Sequence, residues 1–363
     1  MATIRKITLK DIAEQTGLTR MAVSLALRNK PGVSATTREK VMQVATRLGY
    51  EPDPEVSNLM ARIRSTRPAE NKACIALLSS TPAGAADSTS ITERKYMEGV
   101  IERARLYGYR VEEFGIQDQG MTPERVGSIL WSRGIEGVIL RPLQYGLSGG
   151  KSRTIRFDFE RFASVAISET IVTPDLDRSL HDQYTAMIIA ITELTRLNYQ
   201  NIGLVLAEDL HLRVNGRWTA AFLQYFYSPH AKHATPPLIL DGFRPKEFSR
   251  WFNRHRPDAL VSVDRFGLRL AQDCGLNIPG DVGYATLDLD ELVPEYAGMS
   301  GIDQNSHLVG AAAVDMLVVS MQRKQRGIPV HPVRVEVEGI WHAGTSTLRQ
   351  HHTSERTAPA GFR

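Results

Sequence analysis

Two rhythms of apolar positions divide this chain. Between residues 7 and 50, Ile12, Ala13, Val23, Leu27, Val41, Val44, Ala45 and Leu48 recur at three- and four-residue spacing, the pattern of short amphipathic helices sharing a small core. The punctuation predicts three of them. Thr8 caps the first, with Asp11 as its capping-box partner, and Gly17 stops it; Thr19 caps a second helix that runs to about Arg28; Ser34 caps a third, which Gly49 ends. A helix, a tight turn at Gly17 and a second short helix make a helix-turn-helix, whose second helix suits a major groove.

From residue 72 onward, short apolar runs alternate with helical patterns. Strands are predicted at 74–80, 109–116, 137–143, 164–168, 201–207, 238–240, 259–264 and 282–288. Helices are predicted near 91–107, 122–132, 182–197, 213–227, 245–254, 265–274 and 306–323. Wholly apolar strands separated by helices imply parallel sheets covered on both faces, and the run is long enough for two. The fold class is therefore an all-α helix-turn-helix head followed by an α/β core of two doubly wound parallel-sheet subdomains. The expected boundaries are a head at 1–51, a hinge helix and linker at 52–71, a core at 72–345 and a disordered tail at 346–363. Within the core, one subdomain is expected from 72–165 and 289–305, the other from 166–288 and 306–345, with 153–182 crossing between them. Ligand residues in such folds lie at the carboxyl ends of strands.

Charge sharpens the first half of this picture. Residues 1–70 carry twelve Lys and Arg against seven Asp and Glu, while the remainder holds 32 against 33, so the basic surplus sits in the head, where phosphate binding needs it. No run of eighteen apolar residues exists, so no membrane span is expected. The first residues are polar and basic rather than a secretory leader, and the two cysteines, Cys74 and Cys274, read as reduced, buried thiols; a cytoplasmic location is the expectation. The segment 52–65 reads as a short helix, capped by Asp53 with Pro54 at its first position and with Val56, Leu59, Met60 and Ile63 on one face. A lone helix of that length is marginal in water.

Taken together, these segments resemble the LacI/GalR family of bacterial transcription repressors over roughly residues 7–347. The likeness rests on LKDIAEQTGLTRMAVSLALRNKPGVSATTREKV, on LGYEPD, and on the core blocks DQYTAMIIAITELTRLNYQNIGLV, RVNGRWTAAF, RPDALVSVD, GLNIPGDVGYATLD and SGIDQNSHLVGAAAVDML, in family order. The resemblance implies a homodimer with a core similar to periplasmic sugar-binding proteins, bound to a near-palindromic double-stranded operator. It places Arg20, Met21 and Leu25 at base edges and Thr8, Thr19, Ser24 and Ser34 at phosphates or caps. Arg28 stands where the family has Asn, and Leu59 matches the hinge leucine that wedges into the minor groove. Arg20 can pair bidentately with a guanine, whereas Met21 and Leu25 offer apolar contact.

The resemblance also assigns an effector cleft. Arg213 heads RVNG, and Asp264 and Asp288 end their strands; Ser80, Thr92 and Glu93 complete the candidate set. Helix capping is an alternative role for Asp264 and Asp288, and Asp182 reads as a cap. Carboxylates and a guanidinium around a slot suit a ligand with several hydroxyls, so the expected effector is a small carbohydrate. Where the family often stacks an aromatic pair, this chain has Thr92 and Glu93. The loop GLSGGKS (146–152) falls one residue short of a P-loop, and His230, His233, His351 and His352 lack a ligand cluster, so no catalytic residue, metal or cofactor is assigned. A solute-binding protein of a transporter is the alternative that the core alone would permit; the head argues against it.

Overall fold

The computed structural model describes residues 7–27, 32–50, 73–79, 90–116, 121–143, 153–228, 235–290 and 293–350. Arg28, the hinge segment with Leu59, Ser80, the GLSGGKS loop and the four histidines named with it lie outside the described residues. The chain divides into two compact units, Met1–Thr66 and Arg67–Arg363.

In the first unit, α1 (Leu9–Thr16), α2 (Arg20–Leu27) and α3 (Ala35–Leu48) follow the sequence punctuation. The Thr8 backbone N–H and hydroxyl both donate to Asp11 Oδ2 at 2.7 Å. Gly17 takes the left-handed conformation, φ 74°, which lets its N–H reach Ala13 O and turns the chain toward α2. Thr19 Oγ1 accepts from the Ala22 N–H at 3.1 Å, and Ser34 Oγ accepts from the Thr37 N–H at 3.2 Å. Ile12, Ala13, Val23, Ala26, Val41, Val44 and Ala45 form the buried core, with Leu27 and Leu48 packed against its edge.

The second unit holds two six-stranded sheets. The first contains β1 (Ala73–Ser79), β2 (Tyr109–Gly115), β3 (Gly137–Leu140), β4 (Ala163–Ile167), β5 (Asp177–His181) and β11 (Arg334–Val337), in the order β11-β5-β4-β3-β1-β2 and wholly parallel. The second contains β6 (Ile202–Ala207), β7 (Leu238–Leu240), β8 (Ala259–Ser262), β9 (Gly283–Thr286), β10 (Ser300–Asp303) and β12 (Ile340–His342), in the order β12-β10-β9-β8-β6-β7. Its edge strand β12 runs antiparallel to β10, where an all-parallel sheet was expected. Each sheet reverses its winding between its first and third strands, at β1/β3 and at β6/β8, which is where such folds open a ligand crevice.

Helices cover both faces. On the first sheet, α4 (Ile91–Leu106) and α11 (Ser306–Arg323) pack together through Tyr96, Val100, Val309, Ala313 and Leu317, and α5 (Pro123–Ser132) covers the other face. On the second, α6 (Gln183–Arg196) and α8 (Arg217–Phe226) lie on one face, α9 (Pro245–His255) and α10 (Phe266–Asp273) on the other. A short helix, α7 (Glu208–Arg213), follows β6 directly. The helix expected at 213–227 begins only at Arg217, because Asn215 and Gly216 before it take left-handed φ of 52° and 68°, and α7 precedes it as a separate helix that the sequence pattern did not predict.

The subdomain boundaries differ from those expected. β5 belongs to the first sheet, so that lobe runs on to His181 rather than ending at 165. β10 pairs with β9 in the second sheet, so 289–305 is not part of the first lobe. Conversely α11 packs on the first sheet, because its apolar face (Val309, Ala313, Val314, Leu317) meets α4, and 306–345 is shared between lobes through β11 and β12. Residues 346–350, expected as tail, are packed: Ser346 Oγ donates to Tyr284 O at 2.7 Å, and the Leu348 N–H donates to Tyr199 Oη at 3.1 Å. Cys74 and Cys274 are free but half-buried rather than fully buried. Among the described residues no helix is long and apolar enough to cross a membrane.

Candidate DNA-reading face and effector cleft

The first turns of α2 present the head's candidate readers. Burial of Val23 and Ala26 against α1 and α3 fixes which side of α2 faces inward, and at 100° per residue positions 20, 21, 24 and 25 fall on the other side. Arg20 is exposed, Met21 is 74% exposed, and Ser24 and Leu25 are half-buried. A methionine left this open contributes little to the core, which answers whether Met21 is a packing residue. Leu25 is intermediate, one methyl lying near Gly32. Thr8, Thr19 and Ser34 are exposed while their oxygens serve the helix ends described above. An exposed guanidinium beside apolar and hydroxyl groups on a short helix can read base edges and touch phosphates.

In the core, the crevice between the lobes gathers the other candidates. Asp264 lies two residues beyond β8 and Asp288 two beyond β9, while Arg213 ends α7, the helix that springs from β6. The guanidinium of Arg213 acts electrostatically on Asp264, Asp288 and Tyr96, which places all four in one site. Part of Asp288 still meets solvent, yet protein surrounds it; burial pushes its carboxyl up to about 7, and the Asp264 charge adds to the rise. Asp264 is open to solvent at the rim by surface area, but it too is raised by the protein around it, against the pull of Arg213. Burial likewise raises the Tyr96 phenol.

Capping does not explain either aspartate. No side-chain hydrogen bond caps α10 after Asp264, and Asp288 Oδ2 instead accepts from Thr92 Oγ1 of the opposite lobe at 3.3 Å. Asp182, by contrast, does cap α6, accepting the Thr185 N–H at 2.9 Å. Glu93 is buried beside Arg141, 3.4 Å away; Arg141 also pairs with Glu113. Sequence reasoning missed Lys95, which reaches Asp290 across the crevice at 3.0 Å, together with Tyr96 and Arg141. Lys95 shares a face with Thr92 at i+3, but nothing in the sequence marks its distant partner. The site combines acceptors, a fork of donors and hydroxyls, a set matched to a polyhydroxylated ligand. Among the described residues no group of three or more His, Cys, Asp or Glu could hold a metal ion. A cavity of about 340 Å³ lies beside the site, lined by Leu289, Tyr296, Met299 and His342 among others.

Comparison with known proteins agrees with both halves. Residues 8–53 match the family described as "Bacterial regulatory proteins, lacI family". The HTH-type transcriptional regulator reg1 of Streptomyces lividans is 24% identical over 298 residues, covering 78% of this chain and 81% of that protein. Two solved structures share the fold at 17% identity: a transcriptional regulator CelR-cellobiose complex, with a TM-score of 0.52 and 94% of this chain covered, and the lac repressor dimer bound to operator and the anti-inducer ONPF, with 0.51 and 95%. Each match spans the whole of the solved chain. Residues 8–53 thus form a head of the LacI family of bacterial regulatory proteins, and the core shares the fold of these solved repressor structures.

Proposed function

We propose that this protein is a ligand-responsive transcription repressor whose operator affinity is set by a small carbohydrate held between its two lobes. The observation that carries the reading is the trio Arg213, Asp264 and Asp288, contributed by the end of α7 and by two strand ends of one lobe and faced by Thr92 and Tyr96 of the other. A ligand that engages both sides changes the spacing of the lobes, because its hydrogen bonds can be completed only when they approach. Its cargo is not anionic, since two carboxylates share the site with a single guanidinium. The cellobiose complex of a structural neighbour supports a sugar, and the operator-bound dimer of another supports action as a homodimer on a near-palindromic site. Arg20, Met21 and Leu25 read bases, and Thr8, Thr19, Ser24 and Ser34 touch the backbone.

A thermal-shift screen of mono- and disaccharides, cellobiose included, tests the effector half. At least one sugar is expected to raise the midpoint in proportion to log concentration above its Kd, and Arg213→Ala to abolish the rise. A sugar that stabilises Arg213→Ala as well as the parent protein contradicts this cleft as its site.

A further inference from the structure

A second group of charges joins the lobes, away from the trio's side chains but attached to its backbone. Glu169, 5% exposed, follows β4 in the first lobe. Its carboxylate receives Asn215 Nδ2 at 2.8 Å and Arg217 Nη2 at 3.2 Å, both from the second lobe at the break between α7 and α8. Arg217 also reaches Glu336 of β11 at 2.6 Å, again across the crevice. From the first-lobe side, Arg153 donates to Leu212 O and to Asn215 Oδ1, each at 3.1 Å, and to Arg213 O at 3.5 Å, while its other bonds go to the carbonyls of Glu169 and Thr170. Arg178 (3.6 Å) and Arg334 (3.8 Å) complete the charge around Glu169 within its own lobe.

We infer that Glu169 and Arg153 form a tie between the lobes that positions Arg213 and sets how far the crevice closes. Three features carry it. Arg153 grips the last carbonyls of α7, whose final residue is Arg213, so the effector-facing guanidinium is aimed from behind. Each cross-lobe bond has a charged group at one end at least, and those of Arg217 at both, which makes them stronger and more directional than neutral ones. Opening the lobes returns Arg217 and Glu169 to water, which repays much of the lost attraction, so the tie is breakable rather than permanent. The tie exists without any ligand; only its consequence for the effector rests on the reading of Arg213 given above.

Hydrogen exchange on the full-length protein without ligand tests it, using Glu169→Gln, Arg217→Gln and the double variant. Each single variant is expected to exchange about tenfold faster at 208–217, with strands β3 and β8 unchanged, and the double to exceed the larger single very little, because the two changes break one contact. Should Glu169→Gln fail to fold, Arg217→Gln, a quarter exposed, carries the test alone. Arg153→Lys should keep the charge, lose the forked grip and speed exchange at 208–216 in the same way. Unchanged exchange at 208–217, or faster exchange spread evenly through both cores, overturns the proposal. A sugar-independent exchange response with no sugar binding would leave the tie standing and remove the effector reading; sugar binding without the exchange response would do the reverse.

Discussion

Single side chains carry the two proposed recognitions. Arg20 is exposed on the outward side of α2 and has the only long forked donor among the candidate readers described there. Arg20→Ala is expected to weaken binding to a selected operator by about 1–3 kcal/mol more than binding to random duplex of equal length, by fluorescence anisotropy at fixed salt. Equal losses on both would leave it a phosphate contact. At Asp288, the folded protein holds a proton up to about pH 7, whereas the unfolded chain releases it near 3.8. The native state therefore binds more protons across that window, and the site's contribution to stability declines as pH rises through it. Asp288→Asn removes the linkage, so its gain in Tm should be larger at about pH 7.5 than at about pH 5. Equal gains at the two pH values would place the ionisation elsewhere. The convergence of Asp264 and Asp288 was legible in the sequence because each ends a predicted strand, and Arg213 was singled out by the RVNG motif alone. Lys95, Arg153 and Glu169 were not, since their cross-lobe partners lie from 46 residues away upward or are backbone carbonyls that leave no trace in a side-chain pattern.

Whole elements obey a different logic. The helices and the apolar strands declared themselves through periodicity and caps. β5 did not, because DRSLH carries an arginine that a buried strand should refuse; Arg178 is 2% exposed only because Asp175 and Glu169 neutralise it. β11 and β12 were missed for a related reason. They are short edge strands of mixed polarity, paired on one side only, and local pattern cannot tell such segments from loop. The lobe exchange they create depends on pairings far apart in the chain. Where α4 crosses α11, glycine lets two backbones touch. A Cβ on Gly310 would lie 2.0 Å from Tyr96 O, and one on Gly99 would lie 1.9 Å from His307 O. Backbone carbonyls cannot rotate aside, so the helices would have to separate. Gly310→Ala should cost about 1–3 kcal/mol in urea denaturation, and Gly242→Ala, whose added Cβ meets nothing within 4 Å, should stay within about 0.5 kcal/mol. Similar losses at both positions would contradict the close crossing.

At the scale of the molecule, the chain carries a helix-turn-helix head and a two-lobed core whose crevice gathers carboxylates, a guanidinium and hydroxyls. Under the proposed function, repression and relief differ by the free energy that one ligand places between two lobe spacings, typically about 1–3 kcal/mol. Reciprocity fixes a second consequence: operator DNA must alter sugar affinity by the same factor that sugar alters operator affinity. The most direct measurement is therefore operator affinity of the full-length protein, on a duplex selected from a random pool, with and without a saturating sugar from the thermal-shift screen. A change of about 5- to 150-fold is expected, and it should disappear in Arg213→Ala while that variant's sugar-free operator affinity is kept. An operator affinity that no stabilising sugar moves would contradict the proposed function.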